Sequence, residues 1–514
     1  MKKYFKIVKK EIIFRLFFHL IYMCAIAALP YIIKFMIDCG FAQGYRDVLK
    51  WTGLFVLAIV IGMASQYISQ RSAWKLDEKF YKHIRKDYFN HVISKTPQSF
   101  EEKSIGEYSS EIMNNIESCE EYIEYCMQIC ESIIGLTVYA IYIFLLDIRI
   151  AIVIYLTALI TLFLPRITGK KLSNKKQTLL NDTGEYTNKV MDLLKGFPFV
   201  NLITIKSMNR EHVKHLNRME NARFKYGSFK TFTNVLNGSV MYVVNIAAFA
   251  IIAVLLCAGS ITAGIATATI SYIQDFMYPL RTIIDSVSNV KSVEGVKNDM
   301  MNQIANCRTV KEKEVVFHKK IAVKNISISF QDSVIKEKSF TFEKGKSYVI
   351  VGDSGTGKST LLKIIAGRMK ADEGQVFGDE EELDYDSCNQ IMFYSNQDSH
   401  IYDASYEDNV TVFESYHDKN NYDVLNILAD YKYIKNTQNC NELSGGEKQI
   451  VLLNRALYSN REVLILDEPC SAMNEMLEYN VTEYLLSLGK TIIMVTHNNK
   501  ENYLNLFDYI IEMK

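Results

Sequence analysis

Val349-Ile350-Val351-Gly352-Asp353-Ser354-Gly355-Thr356-Gly357-Lys358-Ser359-Thr360 is followed by the apolar residues Leu361, Leu362, Ile364 and Ile365. The leading apolar residues suit a buried strand, the glycines a loop and the tail a helix, so the order is strand, G-x-x-x-x-G-K-S, helix. A triphosphate needs backbone N–H groups close on several sides, which glycine-rich backbone allows, and the positive end of a helix dipole. Gly352, Asp353, Ser354, Gly355, Thr356 and Gly357 would form that cradle, with Thr360 completing the nucleotide-binding set. Lys358 would reach the β- and γ-phosphates, and Ser359 would ligand magnesium. The loop by itself fixes only the binding of a nucleoside triphosphate.

Two further stretches narrow the chemistry. Val463-Leu464-Ile465-Leu466-Asp467-Glu468 is a continuous apolar strand ending in two acids, as a buried parallel strand delivers carboxylates to the edge of a sheet. Asp467 would hold the magnesium through water, and Glu468 would polarise an attacking water as general base. Glu442-Leu443-Ser444-Gly445-Gly446-Glu447-Lys448-Gln449 opens an apolar-periodic helix (Ile450, Val451, Leu453, Leu457). It reads as a second anion-gripping helix N-terminus, with Ser444, Gly445 and Gly446 completing the site of another subunit.

The 514 residues carry a formal net charge of zero, which argues against nucleic acid as a partner. Apolar and charged residues are segregated, with the long apolar runs in the first 285 positions. Membrane spans are expected at about 12–37, 51–68, 127–146, 150–165, 232–258 and 265–284, each near the ~20 residues that a bilayer core demands. The segment after the fourth span is rich in Lys and Arg, whereas Ala258–Ala263 has none, so the basic segments and both termini should be cytoplasmic. The long inside segments, about 69–126 and 166–231, should be helical extensions of the spans. Pro30 and Pro279 would kink spans 1 and 6, as hinges or as tolerated packing. Lys34, Asp275 and Arg281 would snorkel to the interface or line a substrate cavity. The ten cysteines show no C-x-x-C spacing and suit buried positions in a reducing compartment.

The motifs together resemble the ATP-binding cassette (ABC) family, whose signature is L-S-G-G-E. Gln397 in Tyr394-Ser395-Asn396-Gln397-Asp398 matches the family's Q-loop, a magnesium contact, and His497 matches its switch histidine at the γ-phosphate. Phe330 stands where a tyrosine usually stacks on adenine, and the ring face preserves stacking. Asn474 replaces the usual aspartate in Ser471-Ala472-Met473-Asn474, which raises the question of whether paired sites are equivalent. The membrane half resembles the six-helix exporter domain of that family. The resemblance places coupling helices near Gly106–Asn115 and Gly196–Ile205.

The resemblance implies a membrane all-α six-helix transmembrane domain over residues 1–300, a linker over 301–314 and a cytosolic α/β P-loop ATPase domain over 315–514. ATP and Mg2+ are the implied cofactors. The implied unit is a dimer with a second half-transporter, identical or not, embedded in the lipid bilayer of the cell membrane and exporting by alternating access. No peptidase domain is expected before the first span, which argues against a processing peptide exporter. A peptide or amphipathic small molecule is favoured over lipid as substrate, and an ATP-gated membrane regulator or sensor is the alternative.

Overall fold

The computed structural model describes residues 1–42, 45–152, 155, 164–308, 315–330, 333–353, 355–397, 399–417 and 422–513. The chain divides into two compact units, Met1–His91 with Ile105–Asn306, and Val92–Ser104 with Cys307–Lys514.

The first unit consists of long helices: α1 (Lys9–Ala42), α2 (Tyr45–Ile93), α3 (Ile116–Leu146), α4 (Leu164–Lys195), α5 (Thr204–Cys257) and α6 (Ala263–Ala305). Among the described residues, three helical stretches are long and apolar enough to cross a membrane: Lys9–Gly40, Tyr45–Ile93 and Ile105–Leu146. The expected span at 232–258 falls inside α5 except for Ala258, which caps it, and that at 265–284 falls inside α6. The one at 150–165 lies mainly outside the described residues. Residues 301–305, expected to begin a linker, continue α6, and 309–314 are outside the described residues.

Both prolines sit inside unbroken helices, and the Pro279 ring lies 3.4 Å from where a side chain on Gly135 would begin. Close approach also joins α1 to the start of α6. A Cβ on Gly264 would stand 2.5 Å from the Lys34 carbonyl oxygen, and Asp38 accepts from the Gly264 N–H at 3.1 Å and the Thr262 hydroxyl at 2.9 Å. Arg15, 6% exposed, spans from α1 to α3, donating to Glu131 at 2.6 Å and to both carboxylate oxygens of Glu124 at 2.6 and 3.0 Å. A buried guanidinium requires such bidentate, doubly compensated surroundings.

The expected extensions are present, since α2 runs on to Ile93 and α4 and α5 continue the basic segment. Gly106–Asn115 is helix running into α3, whereas Val92–Ser104, with its short helix Pro97–Glu101, belongs to the second unit. Thr96 caps that helix by accepting from the Ser99 N–H, and Pro97 fixes its first turn. Near Gly196–Ile205 a 3-10 turn, Phe197–Phe199, separates α4 from α5 and leaves Phe197, Phe199, Leu202 and Ile203 exposed.

The second unit holds β1 (Lys320–Phe330), β2 (Ser333–Glu343), β3 (Ser347–Gly352), β4 (Glu373–Gly378), β5 (Glu381–Glu382), β6 (Met392–Ser395), β7 (Val463–Asp467), β8 (Thr491–Val495) and β9 (Tyr509–Met513). Strands β2-β1-β4-β5 form an antiparallel sheet, and β6-β7-β8-β3-β9 a parallel one. Every residue of β7 and β8 is buried. That accounts for their unbroken apolar runs, because a parallel sheet is covered on both faces. The helices α7 (Lys358–Ile365), α8 (Gly445–Tyr458) and α9 (Glu475–Ser487) complete the elements that bear on the site.

Candidate nucleotide site

Parallel strands bring their carboxyl ends to one edge, and the site is built there from the segments after β3, β7, β8 and β6. The loop after β3 begins at Gly352, where a Cβ would stand 2.2 Å from the Met513 carbonyl oxygen on β9, so no other residue fits. Gly355 and Gly357 have φ of 86° and 87°, the left-handed conformation that glycine adopts without strain. Gly357 is the residue from which α7 springs. Lys358, the first residue of that helix, is 7% exposed, and its Nζ donates to the carbonyls of Gly352 and Asp353 at 2.8 Å each. The loop thus closes around its own lysine. Thr356 steadies it by donating to the Asp353 carbonyl at 2.9 Å.

Asp467 ends β7 at 5% exposure, and its Oδ1 is buried without a hydrogen-bond partner among the described residues. Burial is the main cause that raises its carboxyl above the ordinary value; the Ser359 hydroxyl, bonded to it, and Lys358 pull the other way, while Glu468 adds to the rise. An orphaned carboxylate oxygen beside a hydroxyl is the donor set that a hard dication such as Mg2+ takes. The residues present therefore fit a magnesium ion.

Glu468 has φ of 51°, uncommon for a residue with a side chain, and its N–H donates to the Val495 carbonyl at 3.0 Å. That left-handed step turns its carboxylate toward His497, whose Nε2 is 2.6 Å from Glu468 Oε1. Gln397, beyond the end of β6, lines one cleft with Glu468, Ser395, Gln449 and Pro469. Glu468, His497 and Gln397, read from separate parts of the sequence, converge on this edge with the phosphate loop. Ser354 lies outside the described residues. So does the side chain of Phe330, whose backbone ends β1.

The signature residues form a separate group. Ser444 caps α8, with Glu447 accepting from its N–H at 2.7 Å in a capping box. Ala472 is the first neighbour that a side chain on Gly445 or Gly446 would meet. Asn474 caps α9, accepting from the Leu477 N–H at 2.9 Å, a role that aspartate fills equally well.

Two arrangements escaped the sequence reading. Gln449 donates to the Ser471 hydroxyl at 2.9 Å and accepts from the Ala472 N–H at 3.0 Å, tying α8 to the loop after Glu468. Arg455 donates to the carbonyls of Asn409 and His400, both at 2.7 Å, and to the Asn409 side chain at 2.9 Å. Gln449 and Arg455 both lie in the buried stretch of α8 among apolar neighbours. A polar residue at core register in an amphipathic helix is the signal that could have revealed them.

This arrangement, a phosphate loop, an acidic strand end and a separate signature helix, has counterparts among known proteins. Residues 335–471 match the family described as ABC transporter. Residues 12–280, more than half of the chain, match the ABC transporter transmembrane region. The chain belongs to the ABC transporter family, with an exporter-type transmembrane region and a transporter ATPase fused in one polypeptide. Its similar relatives include an ATP-dependent lipid A-core flippase of Haemophilus ducreyi, 23% identical across 92% of this chain and 85% of the relative. Another, of the same description, comes from Pasteurella multocida, 25% identical across 92% and 85%. In fold the chain is similar to a bacterial Atm1-family ABC exporter solved with ATP bound, with a TM-score of 0.82 at 17% identity over 99% of this chain and 94% of that one.

Proposed function

We propose that the chain is one half of a dimeric exporter that uses ATP to carry an amphiphile with an anionic head group, a lipid or lipid-like molecule, across the membrane. The observation that carries the substrate side is a polar stripe on α6. Thr267, Ser271, Gln274, Tyr278, Arg281 and Asp285 recur at alternating steps of four and three residues, which is one helix face. Thr267, Gln274, Tyr278, Arg281 and Asp285 are exposed, Tyr278 at 76%. By contrast, the exposed faces of α1 (Phe14, Phe17, Leu20), α2 (Leu54, Leu57, Val60) and α3 (Ile133, Ile141, Phe144) are apolar, as lipid requires. A charged and hydrogen-bonding stripe within a span is stable only against water, a polar ligand or another protein chain.

Arg281, whose Nε lies 3.7 Å from Asp285 Oδ2, would turn its remaining N–H groups to an anionic head group, with Tyr278 and Gln274 offering hydrogen bonds beside it. The descriptions of the two relatives agree with a lipid, which moves the choice away from the peptide or small molecule that the sequence favoured. On the ATPase side, Lys358 would grip the γ-phosphate and Glu468 would activate water. Ser359, Asp467 and Gln397 would hold a magnesium ion, which supplies positive charge against the phosphates. Ser444 and Gly446 would close the site of the facing chain. Val92–Ser104 and the exposed turn Phe197–Phe199 would carry closure to the helices. The basic segments support an orientation with the ATPase unit and both termini in the cytoplasm.

The test is ATP hydrolysis by the purified chain in lipid nanodiscs titrated with anionic and zwitterionic amphiphiles. Stimulation by the anionic series, reduced in Arg281→Ala, is expected. Equal response to both series would contradict the head-group assignment, and no response to any would favour the regulator.

A further inference from the structure

Glu447, in the first turn of α8, is a shared acceptor. Its Oε2 takes hydrogen bonds from both the N–H and the hydroxyl of Ser444, each at 2.7 Å. Its Oε1 takes one from the hydroxyl of Tyr433, in the 3-10 helix Ala429–Asn436. Together these donors hold the Glu447 carboxyl below its ordinary value, Tyr433 contributing most and Ser444 next.

The consequence falls on Ser444. A hydroxyl has one hydrogen to give, and here it is given to a carboxylate. Toward a phosphate the serine then offers lone pairs beside a negative charge, which repel the ligand. To donate to a γ-phosphate it must turn away from Glu447, and the strength of Glu447 as acceptor sets how readily it does so. Tyr433 donates into the same carboxylate and draws charge from the oxygen that holds Ser444.

We propose that Tyr433 is a positioning residue for the signature serine, loosening the hold of Glu447 on the Ser444 hydroxyl so that its hydrogen can pass to the γ-phosphate of ATP bound on the facing chain. The inference rests on the proposed role of Ser444 at that facing site. It adds a residue from the 3-10 segment before the signature to the machinery of closure. Tyr433 acts only through Glu447, so its effect belongs to nucleotide-dependent closure rather than to bond breaking.

Hydrolysis by the full chain in nanodiscs is measured against ATP concentration for wild type, Tyr433→Phe, Glu447→Gln, the double variant and Ser444→Ala. Tyr433→Phe is expected to raise KM roughly three- to tenfold, the scale of one hydrogen bond to a charged group transmitted in part. Its kcat should stay within about twofold. Gln at 447 is a weaker acceptor, so adding Tyr433→Phe to Glu447→Gln should change KM by less than about twofold. An unchanged KM in Tyr433→Phe overturns the inference, as does a full-sized effect that persists in the Glu447→Gln background, which is the mark of a structural role. Ser444→Ala reports on the underlying reading. If it leaves KM and kcat as in wild type, that reading and the inference both fall; if it raises KM while Tyr433→Phe does not, only the inference falls.

Discussion

Nε2 of His497 lies 2.6 Å from Oε1 of Glu468, joining the residue after β8 to the residue after β7. The proposed general base thus shares its carboxylate with the histidine proposed to meet the γ-phosphate. Glu468→Gln keeps the shape and the magnesium aspartate while removing the base. It is expected to bind ATP near wild-type affinity and to hydrolyse it slower by roughly a hundredfold or more. Single-turnover hydrolysis alongside equilibrium binding of a fluorescent ATP analogue measures both, and turnover near wild type would show the base assignment to be wrong.

Lys358 donates to two carbonyls of its own loop at 2.8 Å and is nearly buried. Those bonds are made by the same ammonium that would meet the phosphates. Lys358→Ala is therefore expected to weaken nucleotide binding about tenfold or more, the scale of a lost charge-assisted contact in a partly closed site. The same fluorescent titration reads it, and retained affinity would undercut the phosphate-loop reading.

Arg15 is the single cation facing Glu124 and Glu131 in the described contacts between α1 and α3. Arg15→Met leaves two carboxylates uncompensated and is expected to destabilise the helical unit by about 3 kcal/mol. Adding Glu124→Gln and Glu131→Gln should recover most of that loss. Thermal unfolding in detergent compares them, and a single variant as stable as wild type would mean that water reaches the cluster freely.

Asp508 supports the start of β3, accepting from the Ser347 N–H and hydroxyl at 2.9 Å and from Lys346 at 3.0 Å. The Ser347 N–H does most to hold its carboxyl below the ordinary 3.8; burial pushes the other way, and Lys346 and the Ser347 hydroxyl add to the lowering. Because the folded value is the lower one, the stabilisation is present above the ordinary value and lost as pH falls through the folded one. Asp508→Asn should lower stability at pH 7 by less than about 1 kcal/mol, since the group is largely solvated. Urea melts across the acid range should show the two proteins converging below the ordinary value; a constant gap would place the effect in packing rather than charge.

The chemistry-bearing parts were legible because each obeys a local rule. Gly355 and Gly357 sit in a glycine-rich run between a strand and a helix, the β7 run must be apolar to be buried on two faces, and Ser444 with its two glycines opens an apolar-periodic helix. The illegible parts depend on contacts distant in sequence. Nothing near Arg15 announces Glu124 and Glu131. The polar stripe on α6 is spread over about five turns and becomes meaningful only when the apolar outer faces of α1, α2 and α3 are known. The turn at Thr96-Pro97 does carry a local signal, a capping residue followed by proline. Asn474 looked like a departure at a shared interface. In the fold it makes the cap that aspartate would make.

ATP hydrolysis that drives an anionic amphiphile in one direction across a bilayer is measurable in vesicles holding the purified chain with its ATPase unit outward and a fluorescent anionic lipid whose head group can be quenched from outside. With ATP, wild type should move the lipid from the outer leaflet, on the ATPase side, to the inner one, while Glu468→Gln should not. Equal movement by both, or movement independent of ATP, would mean that hydrolysis at Glu468 does not drive the lipid.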